Sequence, residues 1–267
     1  MQIVQVTDLH LFADPDARLK DVPTRAAVRE VLDAMRKQFP DCDYLIITGD
    51  LAHDEVRETY VALREILGDW VARCRILPGN HDNRAAMRDV FPEVIPAGEG
   101  AIGFAETAGA WRLLGLDSHV PGEVPGRIAS AQLDWLSEQL AANAGAPTVL
   151  FVHHPAISVG SPWLDEIGLK QPERFIDIVR AAPQIKLICV GHIHQEFQGA
   201  LGRAALLAAP SASVQFAPNT ETMRLDPVPP GFRVLALEDG ETHDAATFQT
   251  RVIRLPELTY PPQATER

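Results

Sequence analysis

Short apolar runs alternate with stretches of helical period along most of the chain, and this alternation constrains the fold more than any other feature. The runs are Gln2–Val6, Tyr44–Thr48, Arg75–Leu77, Trp111–Leu116, Thr148–Val152 and Lys186–Val190, each ended by glycine or polar punctuation. Between them, Val28, Val31, Leu32, Met35 and Phe39 share one helical face, with Thr24 as the expected N-cap. Val56, Tyr60, Leu63, Leu67 and Trp70 form a second face, and Leu133, Leu136 and Leu140 a third behind a cap at Ser130. Phe175, Ile178 and Val179 lie on a fourth, opened by Pro172. Strand alternating with helix predicts an α/β fold with a largely parallel sheet.

After Gly191 the helical pattern stops. Gln195–Leu201, Arg203–Ala209, Gly231–Leu237 and Thr247–Leu255 read as strands, with Asp239-Gly240 as the turn between the last two. A helix-linked half followed by such a meander predicts two sheets packed together. With no Gly- or Ser-rich linker, residues 1–255 are expected to form one domain, and 256–267 a mobile tail.

Of the 267 residues 46% are apolar, which supplies a core and argues against disorder. Thirty-six acidic against 24 basic residues give a net charge of −12. Nucleic acid and anionic membrane surfaces are therefore not expected partners, since both are bound by clustered Lys and Arg. No apolar run reaches the ~18 residues of a membrane span. The N-terminal residues Met1–Asp8 have neither the basic nor the apolar part of a secretory signal. Cys42, Cys74 and Cys189 are few, odd in number and far apart. They read as buried thiols in a reducing compartment, so the expected location is cytoplasmic.

Six of the nine histidines stand directly behind apolar runs. The five run ends read Asp8-Leu9-His10, Gly49-Asp50, Gly79-Asn80-His81-Asp82, His153-His154-Pro155 and Gly191-His192-Ile193-His194. In open α/β sheets ligands bind outside the carboxyl ends of the strands, so these clusters can converge. Asp-x-His and His-x-His put alternate side chains on one side of an extended segment. Glycines 49, 79 and 191 are expected to let the backbone turn sharply before each functional side chain. Imidazole, carboxylate and amide without cysteine suit Zn, Mn or Fe. Seven such ligands exceed the needs of one ion and suit two, about 3.5–4 Å apart, clamping an in-line displacement at phosphorus.

The five motifs in this order resemble the calcineurin-like metallophosphoesterase superfamily, over Gln2 to about Leu255. Within it, Ser161-Pro162-Trp163-Leu164-Asp165, Gly191–Glu196, Val214-Gln215-Phe216 and Leu225-Asp226 look like the class III cyclic-nucleotide phosphodiesterases of bacteria that act on 3′,5′-cyclic AMP. The resemblance implies two mixed β-sheets packed as a sandwich and flanked by helices. It implies two divalent ions (Fe, Mn or Zn), one on Asp8, His10 and His194, the other on Asn80, His153 and His192, bridged by Asp50. His81 would be the catalytic imidazole and Asp82 its neighbour behind it. The expected reaction is hydrolysis of 3′,5′-cyclic AMP to 5′-AMP by in-line attack of a hydroxide bridging the ions. His81 would protonate the leaving 3′-oxygen while Asn80 contacts the phosphate. Glycerophosphodiesters and 2′,3′-cyclic nucleotides are the alternative substrates.

The remaining candidates read less sharply. His153 is preferred over His154 as ligand because His-x-Pro motifs of the family place the metal histidine two before the proline; His154 then lies behind it or on the substrate side. His119, after another run, is a candidate for lining the site. His53 reads as a solvated loop residue, His243 as surface and Cys189 as core. The loop Ala156–Gln171, with Trp163 and Lys170, is positioned to cap the cleft. The charge limits substrate size rather than excluding anions, because two divalent ions outweigh the charge of Asp8 and Asp50.

Overall fold

A computed structural model describes residues 1–263. Strands β1 (Gln2–Val6), β2 (Tyr44–Thr48) and β3 (Cys74–Leu77) run parallel in one sheet. The antiparallel pair β10 (Gly231–Glu238) and β11 (Thr247–Arg254) completes it in the order β11-β10-β1-β2-β3. The second sheet has the order β4-β5-β6-β7-β9-β8, formed by Phe104–Ala108, Trp111–Leu116, Thr148–Val152, Ile185–Val190, Phe197–Leu201 and Ala204–Ala208 for β4 to β9. In it β5, β6, β7 and β9 are parallel, and β4 and β8 are antiparallel edges. Both sheets are mixed and the fold is α/β, as the sequence implies. The expected meander is instead divided, with β8 and β9 joining one sheet and β10 and β11 the other.

Period-two burial explains the layering. On β1, Ile3 faces the other sheet while Val4 and Val6 face helices; on β2, Ile46 and the pair Leu45 and Ile47 divide in the same way. Ile3, Ile46, Trp111, Phe151, Leu187 and Leu235 fill the space between the sheets. Cys189 lies there too, with its thiol pushed up to about 12 by burial. Helices α1 (Thr24–Gln38), α2 (Arg57–Leu67) and α3 (Arg84–Val90) cover the first sheet. Helices α4 (Ser130–Ala142) and α6 (Glu173–Ala181) cover the second, with α5 (Pro162–Asp165) a single turn near its carboxyl edge.

Several local expectations shift. Pro23 and Ala129 occupy the N-cap positions, so Thr24 and Ser130 are first-turn residues without a capping bond. Val56 is exposed as the N-cap of α2, and Trp70 belongs to a 3₁₀ turn after it. Asn83 does cap α3, accepting from Ala85 N (3.0 Å) and Ala86 N (3.2 Å). The residues expected to form a tail divide: 264–267 lie outside the described residues, while the preceding segment lies against the body. There Thr259 Oγ1 donates to Glu30 (2.9 Å), Tyr260 Oη to the same carboxylate (3.1 Å), and Gln263 N to Lys20 O (2.9 Å). Among the described residues no helix is long and apolar enough to cross a membrane.

Phe151 is fully buried between the sheets. Phe151→Ala is expected to cost about 3–5 kcal/mol in transfer and cavity terms, read from the urea midpoint.

Candidate metal centre

The carboxyl ends of β1, β2, β3, β6 and β7 deliver their motifs to one place. The turns responsible are made by the functional residues themselves. Asp8, His10, Asp50, His192 and His194 all have positive φ, between 48° and 69°. Side-chain-bearing residues rarely adopt this region, and it persists only where the surroundings over-determine it. Of the glycines expected to supply the turns, only Gly49 is left-handed (φ 101°). Gly79 and Gly191 serve close approach: a Cβ would collide with the Asp50 carboxylate at Gly79 and with Thr7 Oγ1 at Gly191.

Backbone hydrogen bonds zip the strand ends together. Asp8 N donates to Gly49 O (3.0 Å), His10 N to Asp50 O (2.9 Å) and Gly191 N to His153 O (3.0 Å). Ser211 and Ser213 hydroxyls both donate to Asp8 O, at 2.7 and 3.0 Å. Each carboxylate is aimed by an amide of another motif. His192 N donates to both Asp8 oxygens (3.1 and 3.0 Å), and His81 N to Asp50 Oδ1 (2.8 Å).

The donor atoms then face one another. Asp50 Oδ2 lies 3.5 Å from His10 Nε2 and also 3.5 Å from His153 Nε2. His194 Nε2 is 3.4 Å from Asp8 Oδ1 and 3.0 Å from His10 Nε2. His192 Nδ1 is 3.0 Å from Asn80 Oδ1. On the far side of each ring, His153 Nδ1 donates to Thr48 O and His194 Nδ1 to Val214 O, both at 2.7 Å. Those bonds fix the tautomer that leaves Nε2 a lone pair, the arrangement of a metal-ligating histidine held from behind. Nε2 of His153 and of His192 is buried without a hydrogen-bond partner among the described residues.

Burial drives the protonation states. It holds His10 and His154 well below the ordinary imidazole range, takes His192 to about 3 with help from His153, and takes His53 to about 4 with help from His81. Burial alone would raise both carboxyls, but His194 holds Asp8 below its usual range and His153 holds Asp50 well below. For His153 itself burial is outweighed by Asp50, which raises it to about 9. The neutral rings of His10 and His192 beside ionised carboxylates form a site complementary to cations, and a bound cation would take the place of the Nε2 proton that Asp50 favours on His153. The groups Asp8, His10, Asp50 and His194, and His153, His154 and His192, each have donor atoms within 4.8 Å of one another. Oxygen and nitrogen donors without thiolate fit a divalent transition metal.

Several candidates take positions other than those expected. Asp82 does not back His81. Its buried carboxylate accepts Gly79 N (2.9 Å), Ala52 N (3.1 Å), Leu51 N (3.1 Å) and Tyr60 Oη (3.1 Å), and so ties the ends of β2 and β3 to α2. Burial and the nearby Asp50 push Asp82 up to about 7. His154 is turned from any substrate, with Nδ1 on Ser118 Oγ (2.8 Å) and Nε2 on Val124 O (3.0 Å). His119 is buried and does not line the cavity; its backbone N donates to Asp117 (2.9 Å), its O accepts from Arg84 (2.6 Å), and its Nδ1 has no partner among the described residues. His53 is no solvated loop residue: its Nδ1 meets His10 Nδ1 at 3.2 Å and its ring stacks on His81 at 4.7 Å. His243 is half-buried, 3.5 Å from Asp244.

A cavity of about 170 Å³ opens over the donor atoms. His10, Asp50, His53, Asn80, His81, His192 and His194 form its polar end. Lys20 and the apolar Leu19, Val124, Trp163, Leu164, Ile167, Val214, Phe216 and Met223 form the rest, with Phe216 stacked on His194 at 4.3 Å and edge-on to Trp163 at 5.2 Å. Trp163 thus reaches the cavity as expected. Lys170 does not; its ammonium donates to Glu166 O. A larger groove of 580 Å³ along α3 contains none of the clustered histidines or their carboxylates.

The calcineurin-like phosphoesterase family matches residues 1–196, which carry all five motifs. The chain belongs to this family. Curated relatives include the 3′,5′-cyclic adenosine monophosphate phosphodiesterases CpdA of Escherichia coli K12 (35% identical over 98% of this chain and 92% of that one) and of Pseudomonas aeruginosa (33%; 97% and 91%). A dimetal phosphatase from Danio rerio has the same fold, with a TM-score of 0.63 at 13% identity over 93% of this chain and 98% of the other.

In this phosphoesterase the Asp82 hub ties two loops of the site to helix α2. Asp82→Ala strands three amides and a hydroxyl, and is expected to cost about 3 kcal/mol or more; Tyr60→Phe removes one bond and should cost about 1 kcal/mol. Denaturant titration of both variants checks the order.

Proposed function

We propose that the chain is a metal-dependent phosphodiesterase that hydrolyses 3′,5′-cyclic AMP to 5′-AMP. One observation carries the metal reading: a single oxygen of Asp50 lies at 3.5 Å from imidazole nitrogens on either side of it. Asp8, His10 and His194 would hold one divalent ion and Asn80, His153 and His192 a second, with Asp50 shared. Iron, manganese and zinc all suit these donors. When bound, the ions supply positive charge for the phosphoryl oxygens and lower the pKa of bound water.

The protein's own groups do the rest. His81 is half-buried at the polar end of the cavity, edge-on to His10 at 5.0 Å and stacked on His53. Two ring contacts thus fix its orientation, and it would donate a proton to the departing 3′-oxygen. The Asn80 side chain would bind a phosphoryl oxygen as well as an ion. The apolar wall accepts a flat aromatic group, which favours a nucleotide over a glycerol headgroup. The full-length similarity to enzymes named for 3′,5′-cyclic AMP supports the same choice. A cytoplasmic setting agrees with three unpaired, buried cysteines.

Chelation is expected to abolish cyclic-AMP turnover and manganese to restore it, with about two ions per chain by elemental analysis. His81→Ala should lower turnover by about 10²–10⁴ while both ions stay bound. Undiminished turnover with metal retained would refute the acid role. In a substrate panel, a preference above tenfold for glycerophosphodiesters or 2′,3′-cyclic nucleotides would refute the cyclic-AMP reading.

A further inference from the structure

The cavity has one lysine or arginine in its wall, Lys20, and the chain holds it there in an unfavourable conformation. Leu19 and Val22 exchange both backbone hydrogen bonds at 2.9 Å, which makes Lys20 and Asp21 a two-residue hairpin loop. Both loop residues are left-handed, with φ of 49° and 70°. Such loops favour Asn-Gly or Gly-Gly, because a Cβ carries a steric penalty there. The surroundings enforce the turn from three directions. Arg18 donates to Asp21 O at 3.0 Å, Gln263 N donates to Lys20 O at 2.9 Å, and Leu19 and Val22 pack with Tyr260, Val214 and Phe216. Phe216 in turn stacks on His194, so the turn and the candidate metal centre share a wall.

The ammonium of Lys20 is uncommitted. Lys186 pairs with Asp244 at 3.5 Å and Lys170 is bonded to Glu166 O, but Lys20 has neither kind of partner among the described residues. The other polar residues lining the cavity are Asp50, Asn80 and five histidines, in a chain of net charge −12. Lys20 is the one lysine or arginine that an anion entering this cavity meets among the described residues. Strain retained beside a reaction site points to a functional position.

We propose that Lys20 is a substrate-binding residue whose ammonium captures the phosphate charge of a small nucleotide, with the Gln263 amide holding its turn in place. The inference rests on the phosphodiesterase reading and names the protein group that recognises the anion. A lysine acting as a point charge should govern capture more than the chemical step.

The test compares the metal-loaded wild type with Lys20→Gln, Lys20→Arg and Lys20→Gly. Lys20→Gln is expected to raise KM for cyclic AMP about tenfold, leave kcat within about twofold, and flatten the salt dependence of kcat/KM. Calorimetry should show 5′-AMP binding about tenfold weaker in Lys20→Gln and recovered in Lys20→Arg, while adenosine, which has no phosphate, binds equally to all. Lys20→Gly removes the charge and relieves the strain together, so it should unfold at the same or a higher temperature yet bind 5′-AMP as weakly as Lys20→Gln. Unchanged 5′-AMP binding in Lys20→Gln, or equal weakening for 5′-AMP and adenosine, would overturn the proposal. A wild type inert toward cyclic AMP but active on bis(p-nitrophenyl) phosphate would overturn the substrate reading instead, and Lys20 would still be judged by calorimetry.

Discussion

Two carboxylates and four imidazole rings are buried together in this protein, and much of the fold answers to the electrostatics of keeping them there. Asp8, His10, Asp50, His153, His192 and His194 are each no more than 5% exposed. Burying Asp8 and Asp50 side by side carries a large desolvation cost, and two like charges at close range add to it. Imidazole partners and the amides of His81 and His192 offset part of that cost. Divalent cations would offset far more. Burial of these groups therefore favours a bound cation.

The backbone bears a second cost. Five of these residues sit in left-handed turns, where a Cβ crowds the carbonyl. Nothing local relieves them, so relief is distributed: Ser211 and Ser213 on Asp8 O, and the paired ladders between the ends of β1 and β2. Asp82 applies the same logic beneath the site, with one carboxylate serving four donors from three chain segments. Its value lies in fixing loop geometry, which is why a place behind His81 was the wrong expectation for it.

The parts of this arrangement that were legible in the sequence share a cause: strand, turn and ligand are adjacent in the chain. Strand β1 and Asp8-Leu9-His10, or β7 and His192-Ile193-His194, can be read as one unit. What escaped depends on groups far apart in sequence. Both nitrogens of His154 are taken by Ser118 and Val124, 36 and 30 residues away. His53 enters the site because its own amide is pulled onto Leu11 O, which no periodicity records. Lys20 and Phe216 reach the cavity through tertiary packing alone. Strand β4 has Phe104 and Ala108 buried at its ends around a polar Glu106, too little contiguous apolar sequence to read as a run. Of the three glycines before the motifs, Gly49 permits a turn, while Gly79 and Gly191 leave room for a neighbour.

The cavity wall draws on more of the chain than its floor does. Every candidate ligand lies within residues 1–196, the stretch that matches the family, whereas Val214, Phe216 and Met223 come later and Gln263 steadies the turn at Lys20. Floor and wall are nevertheless joined at His194, whose Nδ1 donates to Val214 O and whose ring stacks on Phe216. Exchanging the segment around Phe216 for another loop would alter the support of a candidate ligand together with the surface a substrate meets. At this edge of the cavity, chemistry and selectivity are bound to change together.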